Sequence, residues 1–416
     1  MVSSRTLRAL GITLAVAIIG AVAASAATSA SNATVIRIWA DNDRKAAVQK
    51  VAGEWAASKG VEVEVVLKDF GRIRDDLKTV AVENAPDVIV GAHDWTGQLA
   101  ADGLVQPIFP SKAVRAKIPT YALNAFSYGI ASKRLYGAPV ALENLGLIVN
   151  KNLTRIPKTF AQLQAYALAF QKKSADNIGL AVPQGANGDA YHMYPFFSGL
   201  CGYVFGTNKA GNLDPSDIGL SDPAFLKNVG QVNAWNKAGF VNSKVDYGIA
   251  RDAFLTKRTA AFWITGPWEA DSLKKAGGAG LKYTIIPFPK NACASVPFLG
   301  VQGFMVTKYA TDHGVESLAK DLVGNYMLGA DAQVALAAAN GRFPANVDAG
   351  KQVRDPVLKL FGKAGVGGVP MPNIPQMGAV WSELGGAWVK ATKGADATPA
   401  RVAFVTAARN IANKIG

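Results

Sequence analysis

The sequence predicts an α/β protein with doubly wound sheets, and three observations carry that prediction. Strand-like and helix-like segments alternate from Thr34 onward. The strand-like segments are β-branched runs fit for a sheet interior, and the helical ones carry a single apolar stripe. The chain has 416 residues, 50% hydrophobic and 18% charged, so it reads as a folded chain too long for one compact core. Two domains are expected.

The elements follow in order. "MVSSRTLRAL" supplies Arg5 and Arg8, "GITLAVAIIGAVAA" is apolar, and Ala24-Ser25-Ala26 has the small-x-small form that signal peptidase cuts. Residues 1–26 therefore read as a secretory signal peptide cleaved after Ala26, with an uncleaved anchor as the alternative. No cysteine lies near this region for lipid attachment, and no later window is apolar for long enough to span a bilayer. The mature protein is expected to be soluble and extracytoplasmic, either periplasmic or secreted.

"TVIRIWA" (34–40) is strand-like, and the helix over 44–58 sets Ala47, Val48, Val51, Ala52 and Trp55 on one face. "VEVEVVL" (61–67) alternates at period two, residues 73–85 form an amphipathic helix, and "PDVIVGA" is the next strand. This order implies a parallel sheet with right-handed crossovers, which binds ligands beyond the carboxyl ends of its strands. Those ends carry Asp41-Asn42-Asp43-Arg44, Lys68-Asp69 and His93-Asp94-Trp95. Helix capping by Asp43 and Asp94 is the plainer explanation for each taken singly.

In "YGAPVALENLGLIVNKNL" (136–153), Glu143-Asn144 interrupts two apolar runs. A carboxylate there is unfavourable unless paired, so a surface or cleft position is expected. Residues 183–206 read as an aromatic-rich loop. "AAFWITGPWEADSL" (260–273) ends a strand on Trp268, and residues 371–390 form a Pro-broken loop leading to a helix with Trp381 and Trp388.

Composition excludes several functions. The net charge is +14, but the 44 basic residues are scattered and form no block, which argues against nucleic-acid binding. The three histidines, His93, His192 and His313, lack metal-ligand spacing, so no metal or cofactor is expected. Nucleophile-elbow, Walker and zinc-protease motifs are missing. Cys201 and Cys293 either pair, as an oxidising compartment permits, or remain buried thiols; the sequence leaves both open. What remains is a set of aromatics interleaved with acids at loop tips. Sugars match that mixture, because their C–H faces pack on rings and their hydroxyls donate to carboxylates.

Four stretches, "AHDW…GLVQPI", "GAPVALENLGLIVNKNL", "DYGIARDAFLTKRTAAFWITGPW" and "MPNIPQM…W", resemble the periplasmic maltose/maltodextrin-binding proteins, the solute receptors of ABC importers. The resemblance spans nearly the whole mature chain. It implies a two-lobed, hinged periplasmic binding protein fold with the ligand in the interlobe cleft. The lobes would comprise residues 34–141 plus 302–350, and 142–301 plus 351–416. It further implies that Asp43 and Arg44 hold sugar hydroxyls, that Asp94 and Glu143 are cleft acids, and that Asp189 and Tyr191 supply an acid and a stacking ring. Tyr247, Met371 and the platforms Trp268 and Trp381 complete the set.

Departures from the family pattern matter too. Trp95 stands where a basic residue binds sugar and would flank Asp94. His192 replaces an aromatic, Asp189 a longer glutamate, and Gly385 an arginine at the outer end of the cleft. Fewer hydrogen-bond donors and more indole area are therefore expected. His93 is expected to hold its loop by an internal hydrogen bond. The implied function is capture of maltose/maltodextrin-type α-glucans by a monomeric receptor that serves permease subunits. Trehalose, a cyclodextrin or another oligosaccharide is the alternative ligand, and an exported glycoside-active enzyme is the alternative class.

Overall fold

The computed structural model describes residues 34–129 and 132–416; the expected signal peptide lies outside the described residues. Two sheets organise them. The larger has seven strands, ordered Phe343–Pro344, Ala138–Asn144, Phe298–Val306, Val88–Ala92, Val35–Ala40, Glu62–Leu67, with Val369–Pro370 added beside the start of Phe298–Val306. The smaller has four, ordered Tyr283–Ile286, Gly146–Asn150, Ala260–Thr265, Ile178–Ala181.

The first three strands pair in parallel, as their intervening helices require. Val88–Ala92 is central and wholly buried, which explains its unbroken apolar character. Glu62–Leu67 is an edge strand, so its alternating glutamates face water. Phe298–Val306 then runs antiparallel to Val88–Ala92 and Ala138–Asn144 and parallel to Val369–Pro370, making the sheet mixed. Helix Lys45–Lys59 buries Ala47, Val48, Val51, Ala52 and Trp55, the face read from the sequence, and stops at Gly60 in the left-handed conformation.

The break at Glu143-Asn144 marks a crossing between sheets. Ala138–Asn144 belongs to the larger sheet and Gly146–Asn150 to the smaller, with Leu145 between them. The expected boundaries at 141/142 and 301/302 thus fall inside Ala138–Asn144 and Phe298–Val306, strands that lie entirely in the larger sheet. The C-terminal helices Met377–Thr392 and Ala400–Ile415 pack on each other and on helix Gly230–Ala238.

Two local expectations need correction. The helix expected over 73–85 spans Phe70–Thr79, because Val80 and Ala81 turn extended and only Val82–Asn84 re-coils. The β-branched pair Thr79-Val80 favours that exit. The loop expected over 183–206 contains helix Ala190–Gly199, with Pro195 inside it. Asp189 caps this helix, its Oδ1 accepting the His192 N–H at 2.9 Å. Burial of Met193, Tyr194, Phe196 and Phe197 outweighs the lost proline donor. Cys201 and Cys293 form a disulfide that ties the end of this helix to the segment before Phe298.

Candidate functional site

All eleven residues singled out from the sequence (Asp43, Arg44, Asp94, Trp95, Glu143, Asp189, Tyr191, Tyr247, Trp268, Met371 and Trp381) line one cavity of 1010 Å³. Strand ends and helix starts of both sheets deliver them. Asp43 and Arg44 follow Val35–Ala40, Asp94 and Trp95 follow Val88–Ala92, and Trp268 follows Ala260–Thr265. Tyr191 comes from helix Ala190–Gly199 and Trp381 from Met377–Thr392.

Capping does not explain the acids at the strand tips. Neither Asp43 nor Asp94 caps the helix that follows it. Asp94 instead accepts the Trp381 indole N–H at 3.0 Å. Burial raises its carboxyl to about 6, with the indole bond opposing the rise.

His93 plays the internal role expected of it. The Val301 N–H donates to Nδ1 at 3.1 Å, which leaves the proton on Nε2 to donate to the Met371 carbonyl at 3.0 Å. That bond also seats the Met371 segment. Burial lowers the imidazole to about 4, so the ring stays neutral.

Glu143 has the partners its apolar setting demands. Gln302 donates to one oxygen at 2.6 Å and Arg342 to the other at 2.8 Å. Burial works to lower the Arg342 pKa, and Glu143 together with Asp41 and Asp43 outweighs it, so the guanidinium sits above its ordinary value. Arg44 is tied to Asp41 and donates to Gln302 at 2.5 Å. Here burial prevails and lowers its pKa. The acids and guanidiniums at this end of the cavity therefore form one hydrogen-bonded network.

The rings are set with equal definition. Trp268 donates to the Tyr247 hydroxyl at 2.7 Å, and Tyr247 donates to Glu269 at 2.6 Å. A Cβ on Gly266 would overlap the Trp268 ring, and one on Gly91 would overlap Trp95. Each glycine is there to let an indole lie against its own strand.

Trp95 lines the cavity mostly from beneath. It is 6% exposed and lies tilted against Phe70 at 5.0 Å, and Phe70, 37% exposed, is the outer of the two rings at the cavity. The guanidinium of Arg44 covers Phe70 at 4.7 Å. Sequence reasoning missed Phe70, which follows the flagged Asp69 directly.

Donor-bearing side chains that the sequence did not single out also stand at the cavity. Arg74, Arg251, Gln302 and Arg342 all line the cavity. Gln302 could have been found as a polar break within an apolar strand, as Glu143 was. The three arginines interrupt no strand-like apolar run and so carry no such signal. Gly385 packs backbone to backbone against Gly188 rather than lining the cavity. Lys68, at another flagged strand tip, lies over the Trp39 ring at 4.0 Å.

The arrangement suits a polar, ring-bearing, unreactive solute: platforms for apolar faces, and fixed acceptors and donors for hydroxyls. Residues 46–358, well over half of the chain, match the family described as bacterial extracellular solute-binding protein. The chain belongs to this family. Membership places its work outside the cytoplasm, and among the described residues no helix is long and apolar enough to cross a membrane.

Its relatives handle oligosaccharides. The galactooligosaccharide-binding protein of Bacillus subtilis is 25% identical over 390 residues, covering 89% of this chain and 87% of the relative. The maltodextrin-binding protein MdxE of the same organism is 26% identical, covering 85% and 84%. A Thermus thermophilus maltotriose binding protein, solved with maltotriose bound, superposes with a TM-score of 0.79 at 29% identity, covering 92% of this chain and 100% of that one.

Proposed function

We propose that this solute-binding protein captures maltodextrin-type α-glucans in its cavity and hands them to the permease subunits of an ABC importer. The observation that carries the reading is the convergence of the eleven residues on one cavity between the two sheets. Its 1010 Å³ lies at the top of the range of about 300–1,000 Å³ usual for small-molecule pockets, which suits more than one sugar ring. Relatives named for maltodextrin and maltotriose support the ligand class.

In this reading Tyr191, Trp268 and Trp381 stack on sugar faces, and Asp43, Asp94 and Glu143 accept hydroxyls. Arg342 and Gln302 hold Glu143 in place. The two sheets form the centres of two lobes that close on the ligand about the crossings near Leu145 and before Phe298. The protein acts as a monomer and cleaves nothing. A galactooligosaccharide is the second reading, favoured by the relative of that name.

A thermal-shift panel of mono-, di- and oligosaccharides tests the proposal. Affinity is expected to be micromolar, about −8 kcal/mol, and ligand at a hundredfold excess over Kd adds roughly 2.7 kcal/mol of stability. Maltose or maltotriose should raise the melting temperature and change tryptophan fluorescence. If galactooligosaccharides do so and α-glucans do not, the second reading replaces the first. Release of new reducing ends from maltodextrin would overturn the receptor reading.

A further inference from the structure

His192 is the cleft residue that the family resemblance leaves without a role, and its surroundings define one. Asp189 accepts the His192 backbone N–H through Oδ1 at 2.9 Å and the ring through Oδ2, with Nδ1 at 2.6 Å. A carboxylate only accepts, so Nδ1 carries the proton. In the tautomer with its single proton on Nδ1, Nε2 keeps a lone pair.

That atom is buried and has no hydrogen-bond partner, although His192 lines the cavity and is 6% exposed. The ring stands edge-on to Tyr191, Tyr247 and Trp268 at 5.8, 5.9 and 6.0 Å. None of their polar hydrogens reaches it. The Trp268 N–H goes to Tyr247, and the Tyr247 hydroxyl goes to Glu269. The Tyr191 hydroxyl is itself unpartnered and lies on the side of Gly300 and Glu143. A buried acceptor held in one orientation and left without a donor is unfavourable unless something arrives to supply one.

We infer that His192 Nε2, oriented by Asp189, is a ligand acceptor that receives one hydroxyl of the sugar ring held among Tyr191, Tyr247 and Trp268. The inference rests on the sugar-receptor reading and deepens it: the bound sugar must present a free hydroxyl at that point. A phenylalanine in the same place would keep the ring and lose the choice.

Maltotriose is the probe, with its monodeoxy derivatives, titrated calorimetrically against the wild type and His192→Phe. The wild type should lose roughly tenfold in affinity with one monodeoxy derivative, the worth of about one neutral hydrogen bond. His192→Phe should bind maltotriose about tenfold more weakly and not distinguish that derivative, a coupling that a merely structural role does not produce. Nitrogen-15 spectra of the wild type should show Nδ1 protonated and Nε2 bare, with Nε2 shifting at saturation.

His192→Phe binding maltotriose within about twofold of wild type, or Nε2 found protonated, overturns the inference. If the variant does not fold, the wild-type derivative series and spectra decide alone: no single deoxy position weakening binding, or an Nε2 resonance unmoved by saturation, overturns it. A wild type that binds no sugar of the panel takes down the receptor reading, and the inference with it. Binding by the wild type with equal binding by the variant defeats the inference alone.

Discussion

Asp94→Asn should stabilise the sugar-free protein and weaken its hold on sugar. Burial raises the Asp94 carboxyl from 3.8 to about 6, against the pull of the Trp381 indole. Between those values the folded chain binds more protons at this site than the unfolded one. Its contribution to stability is therefore absent as a penalty below 3.8 and grows as pH rises, reaching its full size above 6. At about 1.4 kcal/mol per pKa unit the penalty is about 3 kcal/mol near pH 7.5 and about half of that near pH 5.

The adjacent His93 works in the opposite sense. Burial lowers it from 6.5 to about 4, so its penalty is absent above 6.5 and develops as pH falls toward 4. In the wild type these two slopes largely cancel between about pH 4 and 6.5. Asparagine at 94 keeps an acceptor for Trp381, removes the charge and exposes the His93 slope.

Urea unfolding of both proteins across that pH range is the assay. The variant should lead by about 3 kcal/mol near pH 7.5, and the lead should shrink toward nothing near pH 4. Titrating groups that do not interact with Asp94 drop out of the difference. Maltotriose affinity should fall roughly 10- to 100-fold, the worth of a hydrogen bond to a charged acceptor. A stability difference that stays constant with pH would refute the claim that Asp94 is a desolvated carboxylate.

Three further outcomes are expected. The Cys201–Cys293 bridge spans a sequence separation of 92, so reducing it should lower stability by about 4–5 kcal/mol in the chain-entropy model; an unchanged urea midpoint with dithiothreitol counts against this. Gly266→Ala, at an ordinary backbone φ of −118°, should push the Trp268 ring off its strand and away from Tyr247. Calorimetry should then show weaker sugar binding with the fold intact, and undiminished affinity would mean that Trp268 is no platform. Arg342→Met leaves Glu143 buried with Gln302 as its remaining side-chain donor and should destabilise by about 3–5 kcal/mol in urea; a near-neutral result would mean that water already reaches the carboxylate.

Strand tips were the legible part of the site, because the apolar run of a buried strand ends where its polar residues begin. That alone located Asp43, Asp94 and Trp268. Glu143 was legible as an anomaly, a carboxylate in a run that should exclude one. Its partners were not, since Gln302 and Arg342 lie 159 and 199 residues away and only the antiparallel register brings them near. Phe70 was missed for a related reason. Periodicity says that an aromatic stands at a tip, but not which ring is the more exposed. Gly91 decides that by letting Trp95 lie flat against the strand, which leaves Phe70 outermost.

Charge shows how far a global property can mislead about a local one. The chain carries +14, yet the cavity is lined by seven acids (Asp41, Asp43, Asp69, Asp94, Glu143, Asp189, Glu269) and four arginines (Arg44, Arg74, Arg251, Arg342). The basic excess lies elsewhere, on surfaces that favour solubility and an anionic envelope. Within the cleft most of the carboxylates already accept a bond from a protein group: Asp41 from Arg44, Asp94 from Trp381, Glu143 from Arg342, Asp189 from His192, Glu269 from Tyr247. Such carboxylates are held in position before a ligand arrives, and their remaining lone pairs can take hydroxyl hydrogens without reorganising. An anionic ligand would meet an unfavourable field there, whereas a neutral polyol meets oriented acceptors. The local excess of acid therefore favours hydroxyl groups over anions, and Arg44, Arg251 and Arg342 hold Asp41, Glu269 and Glu143 in place.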